Sequence, residues 1–124
     1  MKKCLLAVAA IVSMSLTEAA DHSQADRPAP YKAVTGRYAI YSGDLDEQRA
    51  PTDSDRKLSL IVDGQPAKDI FESMAPDDKT TCGSKGARSR TKGNTWCSYR
   101  PKRGYQCYLG LDLKTGKSIA GGMC

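Results

Sequence analysis

The side chains that most clearly could bind a ligand are the eight lysines and arginines between Lys79 and Leu111. No carboxylate interrupts this stretch. Clustered cations without acidic neighbours attract anions, so the segment predicts an anion-binding surface. The four aromatic residues of the same stretch, Trp96, Tyr99, Tyr105 and Tyr108, would add stacking contacts. The predicted ligand-binding residues are Lys85, Arg88, Arg90, Lys92, Arg100, Lys102, Arg103, Trp96 and Tyr99.

The rest of the chain has the opposite charge. Residues 21–78 contain seven Lys/Arg and twelve Asp/Glu, whereas residues 79–124 contain ten and one. One interpretation is a basic surface that meets an anionic envelope component or an acidic partner protein. The alternative is a solvated basic loop that is neutralised by the acidic half of the same chain. Nucleic acid is the less favoured anion, because the sequence has no signature of a nucleic-acid-binding fold.

Catalytic chemistry has few candidate residues. His22 is the only histidine and lies next to the predicted end of a signal peptide, which argues against Ser-His-Asp, Cys-His and histidine-metal sites. We therefore expect a non-catalytic binding module without a cofactor, with an inhibitor or immunity protein as its subtype. The alternative is a small histidine-free hydrolase that uses carboxylates, either Asp44 with Asp46 or Asp69 with Glu72.

The cysteines predict two disulfides. An even number in a small exported domain is typical of a disulfide framework, and the spacings of 15, 10 and 17 residues lack the close pairs of a zinc site. A three-residue turn over 101–103 would place Cys97 directly opposite Cys107, which favours that pair together with Cys82–Cys124. The alternative pairing is Cys82–Cys97 with Cys107–Cys124.

The first twenty residues predict a signal peptide and therefore export. Lys2 and Lys3 precede an apolar run that is too short to span a bilayer, and small residues follow at Ala19 and Ala20. Cys4 precedes the apolar run, so we expect no lipid anchor. The predicted location is periplasmic or secreted. No other apolar stretch is long enough for a transmembrane helix.

The mature chain predicts one small α+β domain. We expect a flexible lead-in over 21–34 and a single disulfide-stapled domain over 35–124. The apolar pattern predicts the order β-β-α-β-β-β, an antiparallel sheet of about five strands with one amphipathic helix packed on it. The predicted strands cover 36–43, 57–64, 94–100, 105–113 and 117–124, the helix covers 65–75, and 77–93 is a loop. The apolar stripe of the helix is Ala67, Ile70, Phe71 and Met74.

Three stretches carry a resemblance to known proteins. They are LIVDGQPAKDIFESM, GNTWCSYR and YQCYLGLDLKTGKS. Together they resemble small exported bacterial proteins that share a helix, a cationic loop, paired cysteines and a hairpin of the LDLKTGK type. The resemblance implies a periplasmic, disulfide-bonded small domain and carries no activity with it.

Overall fold

The structure, a computed structural model, describes residues 28–124. The predicted signal peptide and the first part of the predicted lead-in lie outside the described residues. Residues 28–34 are exposed and have no regular secondary structure, and residues 32–124 form one compact unit. The elements are β1 (Thr35–Tyr41), β2 (Lys57–Asp63), α1 (Gly64–Glu72), β3 (Arg88–Lys92), β4 (Thr95–Arg100), β5 (Gly104–Asp112) and β6 (Ser118–Ile119).

The strands form one antiparallel sheet in the order β1-β2-β5-β4-β3. The short strand β6 also pairs with β5, where Gly110 and Leu111 face Ile119 and Ser118. The predicted small antiparallel sheet with one helix and two cysteine pairs is confirmed. The sequence predicts about five strands, and the described residues contain six.

The additional strand is β3, in a segment that the sequence predicts to be a loop. The register pairs Arg88 with Tyr99 and Arg90 with Cys97. Successive residues of a strand point to opposite faces, so both arginines lie on the face that carries α1, and Ser89 is buried on the other face. The segment therefore alternates arginine and hydroxyl side chains, which gives no apolar signal for a strand.

Helix α1 buries the predicted stripe against the sheet. Ala67 and Phe71 are fully buried, Ile70 is partly buried, and Met74 is buried just beyond the helix end. The helix ends at Glu72, before the predicted residue 75. The Ser73 hydroxyl donates to the Asp69 carbonyl oxygen at 2.8 Å, and Pro76 disfavours helical geometry at the residue before it.

A disulfide lies at the centre of the core. Cys97 and Cys107 are direct cross-strand partners on β4 and β5, with their Cα atoms 4.0 Å apart. Their sulfur atoms contact the helix side, since Cys97 Sγ lies 3.4 Å from Met74 Sδ and Cys107 Sγ lies 3.4 Å from the Ala67 carbonyl oxygen. The chain has only one Phe and one Trp to fill its core. The bridge thus occupies space that a large apolar side chain would otherwise fill.

The second disulfide joins Cys82 to Cys124, with a Cα–Cα distance of 5.6 Å. The nested pairing is therefore confirmed, and the sequential alternative is wrong. Within the described part of the chain, no helix has the length and apolar character needed to cross a membrane.

The C-terminal segment leaves the sheet earlier than predicted, because β6 ends at Ile119 instead of reaching residue 124. The segment packs over β5, and the Ser59 hydroxyl of the neighbouring strand β2 donates to the Gly121 carbonyl oxygen at 2.7 Å. A Cβ at Gly121 would overlap the backbone of Leu109, and one at Gly122 would meet the Tyr108 ring. The two glycines are required by this close approach.

Candidate functional site

The turn between β4 and β5 presents three of the predicted binding residues. Arg100 pairs with Gly104, and the Arg103 amide donates to the Arg100 carbonyl oxygen at 3.0 Å. Gly104 has φ +75°, a conformation that favours glycine. The predicted three-residue turn over 101–103 is therefore confirmed.

The loop that follows Cys82 packs against this turn and brings Lys85 to it. Gly86 has φ +85°, and a Cβ there would lie 3.1 Å from Pro101 Cγ, so the Gly86 backbone packs closely against the Pro101 ring. The turn and the loop enclose a cleft of about 310 Å³. We call its four basic residues the cationic tip: Lys85, Arg100, Lys102 and Arg103.

The charges of the cationic tip are uncompensated within residues 28–124, where no ion pair includes any of the four. Lys85, Lys102 and Arg103 are exposed, and Arg100 is half-buried. The Arg100 Nε atom is buried and has no hydrogen-bond partner among these residues. Like charges that are held together without a carboxylate create a positive potential that favours anions.

Arg88 and Arg90 are engaged differently, because both bind Asp77. Arg88 donates to the Asp77 carboxylate at 2.7 and 3.1 Å, and Arg90 Nε donates to it at 2.7 Å. These hydrogen bonds lower the pKa of Asp77 from 3.8 to about 2. Asp77 is not among the site residues that the sequence predicts. Its position just before the basic segment is the feature that could have indicated an ion pair with the arginines.

The same two arginines cover the core. Their guanidinium carbons lie 5.1 Å (Arg88) and 4.3 Å (Arg90) from the centroid of the Phe71 ring. Arg90 Nη1 also donates to the Phe71 carbonyl oxygen at 2.8 Å. These contacts orient both side chains toward α1, where they close the edge of the core through cation–π contacts.

The remaining predicted residues do not join the cationic tip as one surface. Lys92 lies at the far end of the β3–β4 hairpin, opposite Thr95. Trp96 stacks on Tyr108 at a centroid distance of 4.6 Å, whereas Tyr99 contacts Tyr105 at 4.7 Å. Because residues 96 and 99 are three apart on one strand, their side chains lie on opposite faces of the sheet. The aromatic residues therefore form no single stacking platform with the cations.

The carboxylates of the alternative hydrolase lie in two separate places. On α1, Asp69 accepts a hydrogen bond from Gln65 at 2.7 Å, and Glu72 forms an ion pair with Lys68 at 3.7 Å. Asp44 and Asp46 are exposed in the loop that follows β1. The hydrolase remains an alternative prediction.

No known protein family, curated protein or solved structure matches the chain. The resemblance to small exported bacterial proteins stays a prediction. The geometry and charge of the cationic tip are therefore the features of the molecule that indicate a function.

Proposed function

We propose that the protein is an exported, non-catalytic module of the cell envelope that binds an anionic ligand or an acidic partner through the cationic tip. One observation carries the proposal. Four basic side chains from two segments converge on one cleft, and none of them forms an ion pair within residues 28–124. Phosphate or carboxylate groups displayed on an envelope polymer or on a partner protein match this charge.

The disulfide next to the cationic tip favours binding. Cys97 lies three residues before Arg100, and Cys107 lies three residues after Gly104. Their bridge therefore joins β4 and β5 close to the turn. A hairpin that is fixed in this way loses little conformational freedom when it meets a ligand, so less of the binding free energy is spent on ordering. Disulfides also favour an oxidising compartment, which fits the predicted periplasmic or secreted location.

The test compares two triple variants of equal charge. The first variant, Lys85→Gln/Lys102→Gln/Arg103→Gln, removes three exposed charges from the cationic tip. The control, Lys92→Gln/Lys114→Gln/Lys117→Gln, removes three exposed charges elsewhere on the described chain. Both variants are expected to fold normally, since isolated exposed charges contribute little to stability.

Isothermal titration calorimetry at low salt measures the binding of two probes, polyphosphate and polygalacturonate. We expect the first variant to bind at least about tenfold more weakly than the unmodified protein and the control to stay within about threefold. The probe that binds the unmodified protein with the higher affinity indicates whether phosphate or carboxylate is the preferred group. Equal losses in both variants would show that only the net charge matters and would contradict the proposal.

A further inference from the structure

A second cavity lies near the opposite end of β5 from the cationic tip. It has a volume of about 400 Å³ and opens between the loop that follows β1 and the C-terminal segment. Tyr41, Ile119 and Met123 contribute apolar surface to it, and Asp44, Asp46 and Lys57 are its charged residues. We call it the Tyr41 pocket. Its charge and its apolar lining distinguish it from the cationic tip.

Tyr41 is the one buried residue among those that line this pocket. The side chain is 3% exposed, and its hydroxyl has no hydrogen-bond partner among residues 28–124. Burial raises the pKa of Tyr41, so the hydroxyl stays neutral and can donate or accept a hydrogen bond. Within residues 28–124 the Arg100 Nε is the one buried side-chain polar atom without a partner, so the Tyr41 hydroxyl keeps contact with solvent and is free to form a hydrogen bond with a ligand atom.

One wall of the pocket is held by a network around Gly43. Its amide donates to the Asp55 carboxylate at 2.9 Å, and its carbonyl oxygen accepts from Lys57 Nζ at 2.8 Å. Lys57 also forms an ion pair with Asp55 at 3.1 Å. The positive charge of Lys57 is therefore balanced mainly by Asp55 through a direct ion pair, and its attraction to Asp44 is weaker.

The other wall is the C-terminal segment, which is fixed to the sheet. The hydrogen bond between Ser59 and Gly121 and the Cys82–Cys124 bridge lie on either side of Met123 in the chain. Both walls are therefore held by contacts that do not involve a ligand. A pocket that is formed in advance spends little free energy on ordering when it binds.

The rim carries negative charge that the described chain leaves unpaired. Asp44 and Asp46 are exposed, and neither forms an ion pair within residues 28–124. We propose that the Tyr41 pocket binds a primary ammonium group carried on an apolar body, with the ammonium at the two aspartates and the apolar part on Tyr41, Ile119 and Met123. A lysine side chain of a partner polypeptide and a free alkylamine share this chemistry. The proposal adds a second site, independent of the cationic tip.

The test is a nuclear magnetic resonance titration with three probes of equal length: hexylammonium, hexanol and hexanoate. Hexylammonium should shift the amide resonances of Gly43, Leu45, Ile119 and Met123, hexanol should shift them more weakly, and hexanoate should bind least. A lysine–leucine dipeptide amide distinguishes the two sources, because tighter binding than hexylammonium indicates a polypeptide and weaker binding indicates a free amine. Equal binding of hexanoate and hexylammonium would overturn the proposal.

Variants locate the charge that selects the ammonium. Asp44→Asn/Asp46→Asn should weaken hexylammonium binding about tenfold, and Tyr41→Phe should weaken it by a smaller factor because the ring remains. The control, Glu47→Gln/Asp53→Asn, removes two carboxylates that are not part of the pocket. A loss in the control equal to that in the pocket variant would also overturn the proposal. Polyphosphate affinity should be unchanged in all three variants, so the failure of one site is distinguishable from the failure of the other.

Discussion

At the scale of single residues, the position of one carboxylate decides which arginines are available to a ligand. Asp77 binds Arg88 and Arg90 and holds them over Phe71. Arg100 has no such partner within residues 28–124. The sequence places all three arginines in one basic segment and cannot distinguish them, because the pairing depends on how a loop and a strand meet in space.

Asp77 predicts an acid-sensitive contribution to stability. Its pKa is lowered from 3.8 to about 2 by hydrogen bonds from Arg88 and Arg90. A lowered pKa in the folded state stabilises the protein above 3.8, and this contribution is lost as the pH falls through about 2. Asp77→Asn should therefore reduce the free energy of unfolding at pH 6 and remove part of the loss between pH 4 and 2. Carboxyl carbon titration measures the pKa directly, and a midpoint at the ordinary value of 3.8 would contradict this account.

At the scale of elements, the sequence predicts the helices and strands whose core-facing side chains are apolar. The stripe of α1 and the alternation in β2, β4 and β5 follow the spacing of ordinary apolar residues, and the structure has elements at these places. Strand β3 could not be found this way, because its core-facing side chains are Arg88 and Arg90. Guanidinium groups can cover an aromatic ring when a carboxylate balances their charge. A search for alternating apolar residues does not detect such a strand, because arginine counts as polar.

The packing of α1 gives a stability prediction. Phe71 is 1% exposed and contacts Tyr105 edge to face at a centroid distance of 5.2 Å. Phe71→Ala should lower the free energy of unfolding by about 3–5 kcal/mol, because the substitution leaves a cavity under two arginines. Urea denaturation measures the change, with Lys68→Ala on the outer side of α1 as the matched control. A loss below about 1 kcal/mol would show that the stripe is not core.

The Cys82–Cys124 bridge gives a prediction for the C-terminal segment. It closes a loop with a sequence separation of 42 residues, for which chain entropy predicts about 4 kcal/mol of stabilisation. Cys82→Ala/Cys124→Ala should lower the free energy of unfolding by up to that amount and loosen one wall of the Tyr41 pocket. Hexylammonium binding should therefore weaken. An unchanged affinity for hexylammonium would show that the bridge does not hold the pocket.

At the scale of the whole molecule, charge is separated along the sheet. The cationic tip adjoins Gly104 at the start of β5, and Lys57 of the Tyr41 pocket pairs with Asp112 at its end. A strand of this length spans roughly 27 Å, more than twice the screening length at physiological salt. The uneven distribution of charge is visible in the sequence. The convergence of Lys85 with the β4–β5 turn is not, because it depends on the contact between Gly86 and Pro101.

The measurement that tests the central claim most directly is a map of the amide resonances that shift when polyphosphate is added. The cationic tip predicts shifts concentrated in residues 83–87 and 99–104, together with the side-chain Nε–H of Arg100. The shifts should decrease as salt increases, because screening weakens contacts between exposed charges. The largest shifts in residues 88–92 or 114–117, or the absence of any shift at low salt, would contradict the account.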